Sequence, residues 1–272
     1  MPVIISIDDP ADPRVEPYRD VRERDLVGRA GLFIAEGRVV VEKLVASVAH
    51  RPQSLLVAAH RIDSLAGLLG ALDEATPVFA ASQPVMDAVA GFPIHRGLLA
   101  IGRRVDPPSA EQLLASLPRR ATVLVLAGIA NHDNMGGIFR NAAAFGVGAI
   151  LLDAACCDPL YRKAIRVSVG AALLVPFARM PRDADPLALL ERHGFASIAL
   201  SPAGEVPLAR LSVGKRNAVL LGAEGPGLSE SLLARTVSVS IPMANAFDSL
   251  NVATTSGIVL HHLASAAAGS AG

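Results

Sequence analysis

Residues 241–263 read I-P-M-A-N-A-F-D-S-L-N-V-A-T-T-S-G-I-V-L-H-H-L, and this stretch decides how the second half of the chain is interpreted. An apolar strand, residues 237–241, leads into it and must end at Pro242, because proline has no N–H to donate to a sheet. Asp248 and Asn251 then place side-chain oxygens where they can cap the free N–H groups of a helix. The stretch predicts a strand, a polar loop and a largely apolar helix, which by itself also fits an ordinary buried strand–loop–helix.

The composition favours a cytoplasmic α/β protein with an ample core. The chain has 272 residues, of which 51% are apolar. It contains no run of about 18 uncharged apolar residues, so we expect no membrane span. Asp8 and Asp9 lie where a secretory signal would remain apolar. The two cysteines, Cys156 and Cys157, are adjacent, which is neither the pattern of a disulfide framework nor that of a metal site.

The charge of the chain is balanced, with 25 basic and 25 acidic residues. A net basic charge is the usual footprint of nucleic-acid binding, and it is absent here. Any nucleic acid must therefore be held by local basic patches.

The chain divides into two α/β segments. Residues 1–103 alternate between short apolar strands and helices, starting from a Pro-rich entry and a charged stretch at residues 18–29. Pro107 and Pro108 forbid regular structure, so we place a linker at residues 104–119. Residues 120–272 form a larger unit, in which residues 122–128 are a continuous apolar run typical of a strand buried on both faces of a parallel sheet.

Within the larger unit, the periodicity predicts helices at residues 138–145 and 159–169 and a strand at 173–177. The Ala/Ser/Gly tail, residues 264–272, is expected to fray. Three polar or Gly-rich loops each follow an apolar strand, at residues 131–137, 222–227 and 242–251. Because the carboxyl ends of parallel strands meet at one edge of a sheet, we expect the three loops to lie together.

The middle loop has the glycine spacing G-x-x-G-x-G, starting at Gly222. This is not the G-x-G-x-x-G fingerprint of dinucleotide-binding proteins, which disfavours a nucleotide-binding oxidoreductase. Such glycines are either plain turn residues or positions where the backbone approaches a ligand closely.

In order, the three loops resemble the signature motifs of the SpoU-type RNA 2′-O-ribose methyltransferases. The first, N-x-G-x-x-x-R-x-A, starts at Asn134, the second, G-x-E-G-x-G, at Gly222, and the third, I-P-M…S-L-N-V, at Ile241. The chain departs from the family at Asp248, where many relatives carry Glu, and at Thr254-Thr255. Residues 33–37 and 95–100 resemble an N-terminal RNA-binding domain similar to the ribosomal L30e fold.

This resemblance implies a SPOUT-class fold: a parallel sheet with a C-terminal trefoil knot, preceded by a smaller L30e-like α/β domain. It further implies methyl transfer from S-adenosylmethionine to a ribose 2′-hydroxyl of structured RNA, ribosomal RNA first and transfer RNA as the alternative. A homodimer through the C-terminal domain and no metal are expected. The rival from another class is a non-catalytic RNA- or ribosome-binding protein that retains the fold.

The resemblance also assigns residues. The expected catalytic residues are Asn134, Arg140, Glu224, Ser249 and Asn251. The apolar neighbours of Arg140 indicate a buried side chain that needs partners, for which Asp248, Ser249, Asn251 and a substrate phosphate are expected; a solvated helix arginine is the alternative. The expected cofactor-binding residues are Gly222, Gly227, Ile241, Met243, Leu250 and Asn251. The expected RNA-binding residues are Arg162, Lys163 and Arg166, as a phosphate patch, for which a solvated helix face is the alternative.

Overall fold

The computed structural model describes residues 2–19, 31–244 and 248–269. It divides into two compact units. The first contains the chain up to Asp106 together with residues 158–174, and the second contains Pro107–Cys157 and the chain from Val175. The division after Asp106 falls inside the predicted linker, whereas nothing in the sequence indicated that residues 158–174 pack with the first unit.

The strands of the described residues are β1 (Ile4–Ile7), β2 (Leu32–Glu36), β3 (His50–Ala58), β4 (Val78–Ala81), β5 (Leu98–Arg104), β6 (Ala121–Ala127), β7 (Ala149–Leu152), β8 (Phe177–Arg179), β9 (Ala196–Leu200), β10 (Val206–Pro207), β11 (Arg216–Gly222) and β12 (Val237–Ser240). The helices are α1 (Arg38–Ala46), α2 (Ala66–Gly70), α3 (Gln83–Ala90), α4 (Ala110–Ala115), α5 (His132–Ala144), α6 (Arg162–Val167), α7 (Pro186–Arg192), α8 (Glu230–Leu233) and α9 (Val252–Gly269). No described helix combines the length and the apolar character needed to cross a bilayer.

The first unit is built on a five-stranded sheet with the order β1-β4-β3-β5-β2. Strands β1, β4 and β3 are parallel, and β5 runs antiparallel to both β3 and β2. Tyr18, Leu56, Phe79 and Met86 are among the buried side chains of its core. The sequence predicted strands at residues 32–37, 54–58, 77–80 and 98–101 and helices at 38–47, 63–72 and 83–89, which correspond to β2–β5 and α1–α3, but it did not predict β1. Most of the charged stretch at residues 18–29 lies outside the described residues.

Residues 158–174 are attached to the first unit by charged and polar contacts. Asp158 accepts from Arg104 at 2.7 Å, and Val169 accepts from Lys43 through its carbonyl oxygen at 2.6 Å. Val169 has a φ of 52°, which is uncommon for a β-branched residue. Helix α6 is shorter at both ends than the predicted helix at residues 159–169, because Tyr161 has a non-helical ψ of 137° and Val169 leaves the helical region.

The second unit contains a seven-stranded sheet with the order β10-β12-β9-β11-β6-β7-β8. Each strand pairs in parallel with its neighbours, as the continuous apolar runs predicted. Val123, Leu151 and Leu220 are fully buried in its core.

Three elements predicted within residues 120–272 were wrong. The first loop is mostly helix, because Asn131 caps α5 by accepting from the N–H of Asp133 at 2.8 Å. Strand β8 begins only at Phe177, since Leu173 belongs to a 3-10 turn. Helix α9 continues to Gly269, where fraying was expected, because its Ala-rich end has high helix propensity.

Candidate active site

The carboxyl ends of three neighbouring parallel strands, β12, β9 and β11, form one edge of the second unit's sheet. A cavity of about 570 Å³ lies there, within the range of about 300–1,000 Å³ typical of ligand pockets. The second and third predicted loops both line it, so their expected meeting at one edge is confirmed. The first loop reaches this edge through a side-chain contact described below.

All of the predicted cofactor-binding residues line this cavity. They are Gly222, Gly227, Ile241, Met243, Leu250 and Asn251. Leu221, beside Gly222 at the end of β11, and Leu200, at the end of β9, add apolar residues to the wall. The cavity thus offers apolar surface for a flat ring system together with backbone and side-chain polar groups at its rim, which fits the adenosyl and amino-acid parts of S-adenosylmethionine.

The middle loop folds back on itself at Gly222. A β-carbon at this position would lie 2.3 Å from the carbonyl carbon of Gly227 and 2.5 Å from the nitrogen of Leu228. The N–H of Gly227 donates to the carbonyl of Ala223 at 3.0 Å, which closes the turn. Gly225 and Gly227 adopt φ values of 88° and 67°, which favour glycine. The missing side chain at Gly222 therefore makes room for the loop's own backbone.

One side-chain amide joins all three motifs. Asn251 donates through Nδ2 to Oδ1 of Asn134 at 2.8 Å and to Oε1 of Glu224 at 2.9 Å. Its Oδ1 accepts from the backbone N–H groups of Ala253 and Thr254, at 3.0 and 3.2 Å, at the start of α9. Both N–H groups and the oxygen of this amide are therefore engaged, which sets its orientation.

Helices α5 and α9 pack closely beside this junction. A β-carbon at Gly137 would lie 2.7 Å from that of Ala253. Asn141 donates to the carbonyl of Ala253 at 2.7 Å and to the hydroxyl of Ser256 at 2.9 Å. Ser256 is completely buried, so this contact is shielded from water. The packing of α5 against α9 fixes the position of the first motif relative to the third.

The expectation that Arg140 is buried is wrong. Its side chain is exposed and does not line the cavity. Ile138, Phe139 and Ala142 occupy the buried face of α5, which turns residue 140 toward solvent. Among the described residues, no hydrogen bond joins it to Ser249 or Asn251. Its catalytic assignment stays a prediction, as does that of Ser249, which is exposed and lines the cavity.

The predicted phosphate patch lies in the segment that packs with the first unit. Lys163 and Arg166 are exposed. Arg162 is ion-paired with Glu36 at 2.7 Å and lies over the ring of Phe92, 4.3 Å from its centre. The phosphate assignment of the three residues stays a prediction, and Arg162 already has a protein partner.

Sequence reasoning missed one wall of the cavity. Leu200, Ser201 and Pro202 line it from the end of β9, and Thr255 lines it from the first turn of α9. The signal was present, since an apolar strand at residues 197–200 is followed by a polar Ser-Pro turn. This is the same pattern as in the other loops.

The sequence matches one family profile and resembles proteins from other organisms. The sequence profile of the SpoU rRNA methylase family matches residues 121–261. A relative from Mycobacterium bovis, described as an uncharacterized tRNA/rRNA methyltransferase, is 42% identical over 266 residues, covering 93% of this chain and 89% of its own. The 23S rRNA (guanosine-2′-O-)-methyltransferase RlmB of Escherichia coli K12 is 28% identical, covering 81% of this chain and 93% of its own.

Solved structures share the fold over almost the full length. An S-adenosylmethionine-bound rRNA methyltransferase from Sinorhizobium meliloti superimposes with a TM-score of 0.82 at 22% identity, covering 96% of this chain and 97% of that chain. The SpoU methyltransferase AviRb from Streptomyces viridochromogenes, in complex with the same cofactor, reaches a TM-score of 0.75 at 20% identity, covering 94% and 98%.

The fold, the cavity and these similarities define an RNA methyltransferase that uses S-adenosylmethionine. Within this class the chain belongs to the SpoU rRNA methylase family, since the family profile spans more than half of it. The family resemblance found in the sequence is confirmed, and the oxidoreductase alternative is excluded.

Proposed function

We propose that this protein methylates a ribose 2′-hydroxyl of structured RNA, with ribosomal RNA as the substrate. The observation that carries the proposal is the junction at Asn251, which brings Asn134 and Glu224 together beside the cavity. RlmB of Escherichia coli, by its name, methylates a guanosine 2′-oxygen of 23S rRNA, which supports the choice of hydroxyl and of RNA. Transfer RNA is the alternative, since the mycobacterial relatives are described as tRNA/rRNA methyltransferases.

Bound S-adenosylmethionine supplies an electrophilic methyl group, so the protein must hold the RNA hydroxyl in line and accommodate the loss of its proton. Gly222, Gly227, Ile241, Met243 and Leu250 hold the cofactor in this proposal.

Arg140 acts on the RNA side of the reaction. A guanidinium stays protonated in proteins, so we assign it to orienting the hydroxyl and a neighbouring phosphate and to stabilising developing oxyanion charge. Its exposure supports this role, because Arg140 forms no ion pair with any described residue and its guanidinium is accessible to RNA.

The active form is a homodimer through the second unit. Arg140 shares the exposed side of α5 with Ala143 and Ala144, and Ile258 of α9 is 38% exposed. This surface of small and apolar residues suits close packing against a second copy. A second copy would cover Arg140 and complete the site around it.

Two finer features of the fold belong to the same proposal. We assign a trefoil knot to the C-terminal part, where β12 lies between β10 and β9. The β9–β10 loop is tight against β12, since a β-carbon at Gly204 would lie 2.4 Å from the carbonyl carbon of Val239. We assign the first unit as an L30e-like RNA-binding domain, which its mixed sheet with flanking helices supports.

The test is methyl transfer from labelled S-adenosylmethionine to unmodified ribosomal and transfer RNA transcripts, followed by nucleoside mass spectrometry. The proposal expects a 2′-O-methylated nucleoside in ribosomal RNA. Base methylation, or modification confined to transfer RNA, would contradict it. A protein that binds both cofactor and RNA but transfers no methyl group would instead support the non-catalytic alternative.

A further inference from the structure

One edge of the first unit carries two arginines, Arg61 and Arg96, that form no ion pair with any residue the structure describes. Gly37 follows β2 and Gly97 precedes β5, and the antiparallel pairing of Glu36 with Leu99 puts both glycines at the same end of the sheet. A β-carbon at Gly37 would lie 2.6 Å from Cδ of Arg96, and one at Gly97 would lie 2.8 Å from Cδ of Arg61. Each arginine therefore lies across the backbone of a buried glycine.

These two arginines are exposed and positive. Among the described residues neither forms an ion pair, and the one hydrogen bond found for them runs from Arg61 to the carbonyl of His95 at 3.4 Å. Among the neighbouring charged residues, Glu36 is paired with Arg162 and Arg38 with Glu42, and the carboxylate of Asp87 accepts from the backbone N–H of Ile94. In a chain with no net charge, this edge is a local cationic surface.

An aromatic ring lies in the same loop as Arg96. Phe92 is 37% exposed although it is a large apolar side chain, and Arg162 lies over its ring at 4.3 Å. Both residues line a cavity of about 280 Å³ in the first unit, whose wall also contains Tyr18, Ile34 and Leu99. The ion pair with Glu36 holds Arg162 beside the ring, with both side chains largely buried.

The loop that carries Phe92 and Arg96 is held in place. Asp87 accepts from the backbone N–H of Ile94 at 2.7 Å, and Gln83 donates to the carbonyl of Ile94 at 3.0 Å. A ligand would therefore meet a preorganised surface and lose less conformational entropy on binding.

We propose that this edge, formed by Arg61, Phe92, Arg96 and Arg162, is a subsite for an unpaired RNA nucleotide. The base stacks on the exposed surface of Phe92 beside the cavity, while Arg61 and Arg96 hold the flanking phosphates. An aromatic ring between cationic side chains suits single-stranded RNA, because every base has a stacking face and every nucleotide a phosphate. The inference rests on the proposed function, in which structured RNA is the substrate, and names the part of the protein that reads its unpaired region.

The test uses full-length variants and a fluorescent RNA hairpin with a long unpaired loop, compared with a fully paired duplex. Phe92→Leu keeps an apolar side chain but removes the aromatic face, so its affinity for the hairpin should fall about tenfold, the effect of losing one stacked base. Phe92→Tyr should bind as the wild type does. Equal hairpin affinity in Phe92→Leu and the wild type would overturn the proposal.

The phosphate contacts have a separate measurement and a matched control. The logarithm of the affinity falls as the logarithm of the salt concentration rises, and Arg96→Ala should make this slope shallower by about 0.7 for single-stranded RNA. Arg51→Ala removes the same charge from an exposed position at the opposite end of the sheet and should leave the slope unchanged. Equal changes in the two variants would mean a diffuse charge effect and would overturn the subsite.

Activity assays separate this inference from the proposed function. With an active enzyme, Phe92→Leu should raise KM for RNA while kcat and S-adenosylmethionine affinity stay unchanged. An unchanged KM would defeat the subsite and leave methyl transfer standing. If the wild type transfers no methyl group yet hairpin binding responds to the variants as stated, the subsite stands and the proposed function fails.

Discussion

Asn251 donates its side-chain amide to Oδ1 of Asn134 across 2.8 Å, and this bond ties the start of α9 to the first turn of α5. Asn134 is only 6% exposed, so the bond is largely protected from water. The same amide group reaches Glu224 and caps α9, so a single side chain aligns three loops that are far apart in the sequence.

Replacing Asn251 separates its role as the cap of α9 from its role as the donor to Asn134 and Glu224. Asn251→Asp keeps the oxygen that caps α9, but it places a second carboxylate beside Glu224 and removes the donor to Asn134. We expect stability close to that of the wild type with a large loss of turnover. Asn251→Ala should also lose about 1 kcal/mol of unfolding free energy, as a missing cap does. Chemical denaturation measures the stability of both variants, and single-turnover methylation measures their activity. Full activity in Asn251→Asp would exclude the junction from the mechanism.

A side chain at Gly222 should open the middle loop. Because its β-carbon would overlap the backbone at Gly227, Gly222→Ala should displace the cavity wall. Loss of one hydrogen bond to the cofactor, about 1.5 kcal/mol, corresponds to roughly tenfold weaker binding. The matched control is Gly225→Ala, which meets no atom within 4 Å and carries only backbone strain at its φ of 88°. Calorimetry with S-adenosylmethionine measures both, and equal affinities would contradict a structural role for Gly222.

Arg140 should affect turnover without affecting stability. Removing one preorganised donor from an active site typically costs about 100- to 1000-fold in rate, which we expect for Arg140→Ala. Arg140→Lys should fail nearly as badly, since an ammonium lacks the planar fork of a guanidinium. Because the side chain is exposed within its own chain, the unfolding free energy of the single chain should change by less than about 0.5 kcal/mol. Arg182→Ala, another exposed position of the second unit, is the control, and near-normal turnover in Arg140→Ala would reject the assignment.

The first unit should lose stability in mild acid through His50. The pKa of this imidazole is lowered to about 4, mainly by burial and also by the positive charge of Arg104, while Asp158 opposes the shift. The unfolded state takes up the proton near pH 6.5 but the folded state does not. Stability is therefore fully present above pH 6.5 and falls as the pH drops toward 4. Denaturation across this range should show a shallower pH dependence in His50→Leu, and identical profiles would contradict the assignment.

Residues 158–174 should depend on the first unit for protection. Leu160, Ala164 and Ile165 are buried, and two ion pairs, Asp158 with Arg104 and Arg162 with Glu36, join this segment to other residues of the first unit. In a fragment containing only residues 107–272, these contacts are lost. We expect trypsin to cut the fragment rapidly after Arg162, Lys163 or Arg166, while the full chain resists. Equal resistance would show that the segment folds without the first unit.

The sequence by itself determined the class of the fold and most of the residues that line the cavity. Continuous apolar runs such as residues 122–128 identify strands buried on both faces, since any polar side chain there would lose its water. Parallel strands end at one edge, so the loops after them, including Gly222, Ile241 and Leu250, had to lie near one another. The apolar runs and the loops after them can be recognised from each segment's own residues.

Only the tertiary structure decided the rest. Whether Arg140 is buried depends on which face of α5 meets α9, and the close contact of Gly137 with Ala253 determines that face. The space beside Gly222 is filled by the backbone at Gly227, a neighbour defined by how the loop closes. Asp158 pairs with Arg104 across 54 positions of sequence. A segment's own residues record its preference for helix or strand, whereas the surface it packs against is set by contacts with residues far away in the chain.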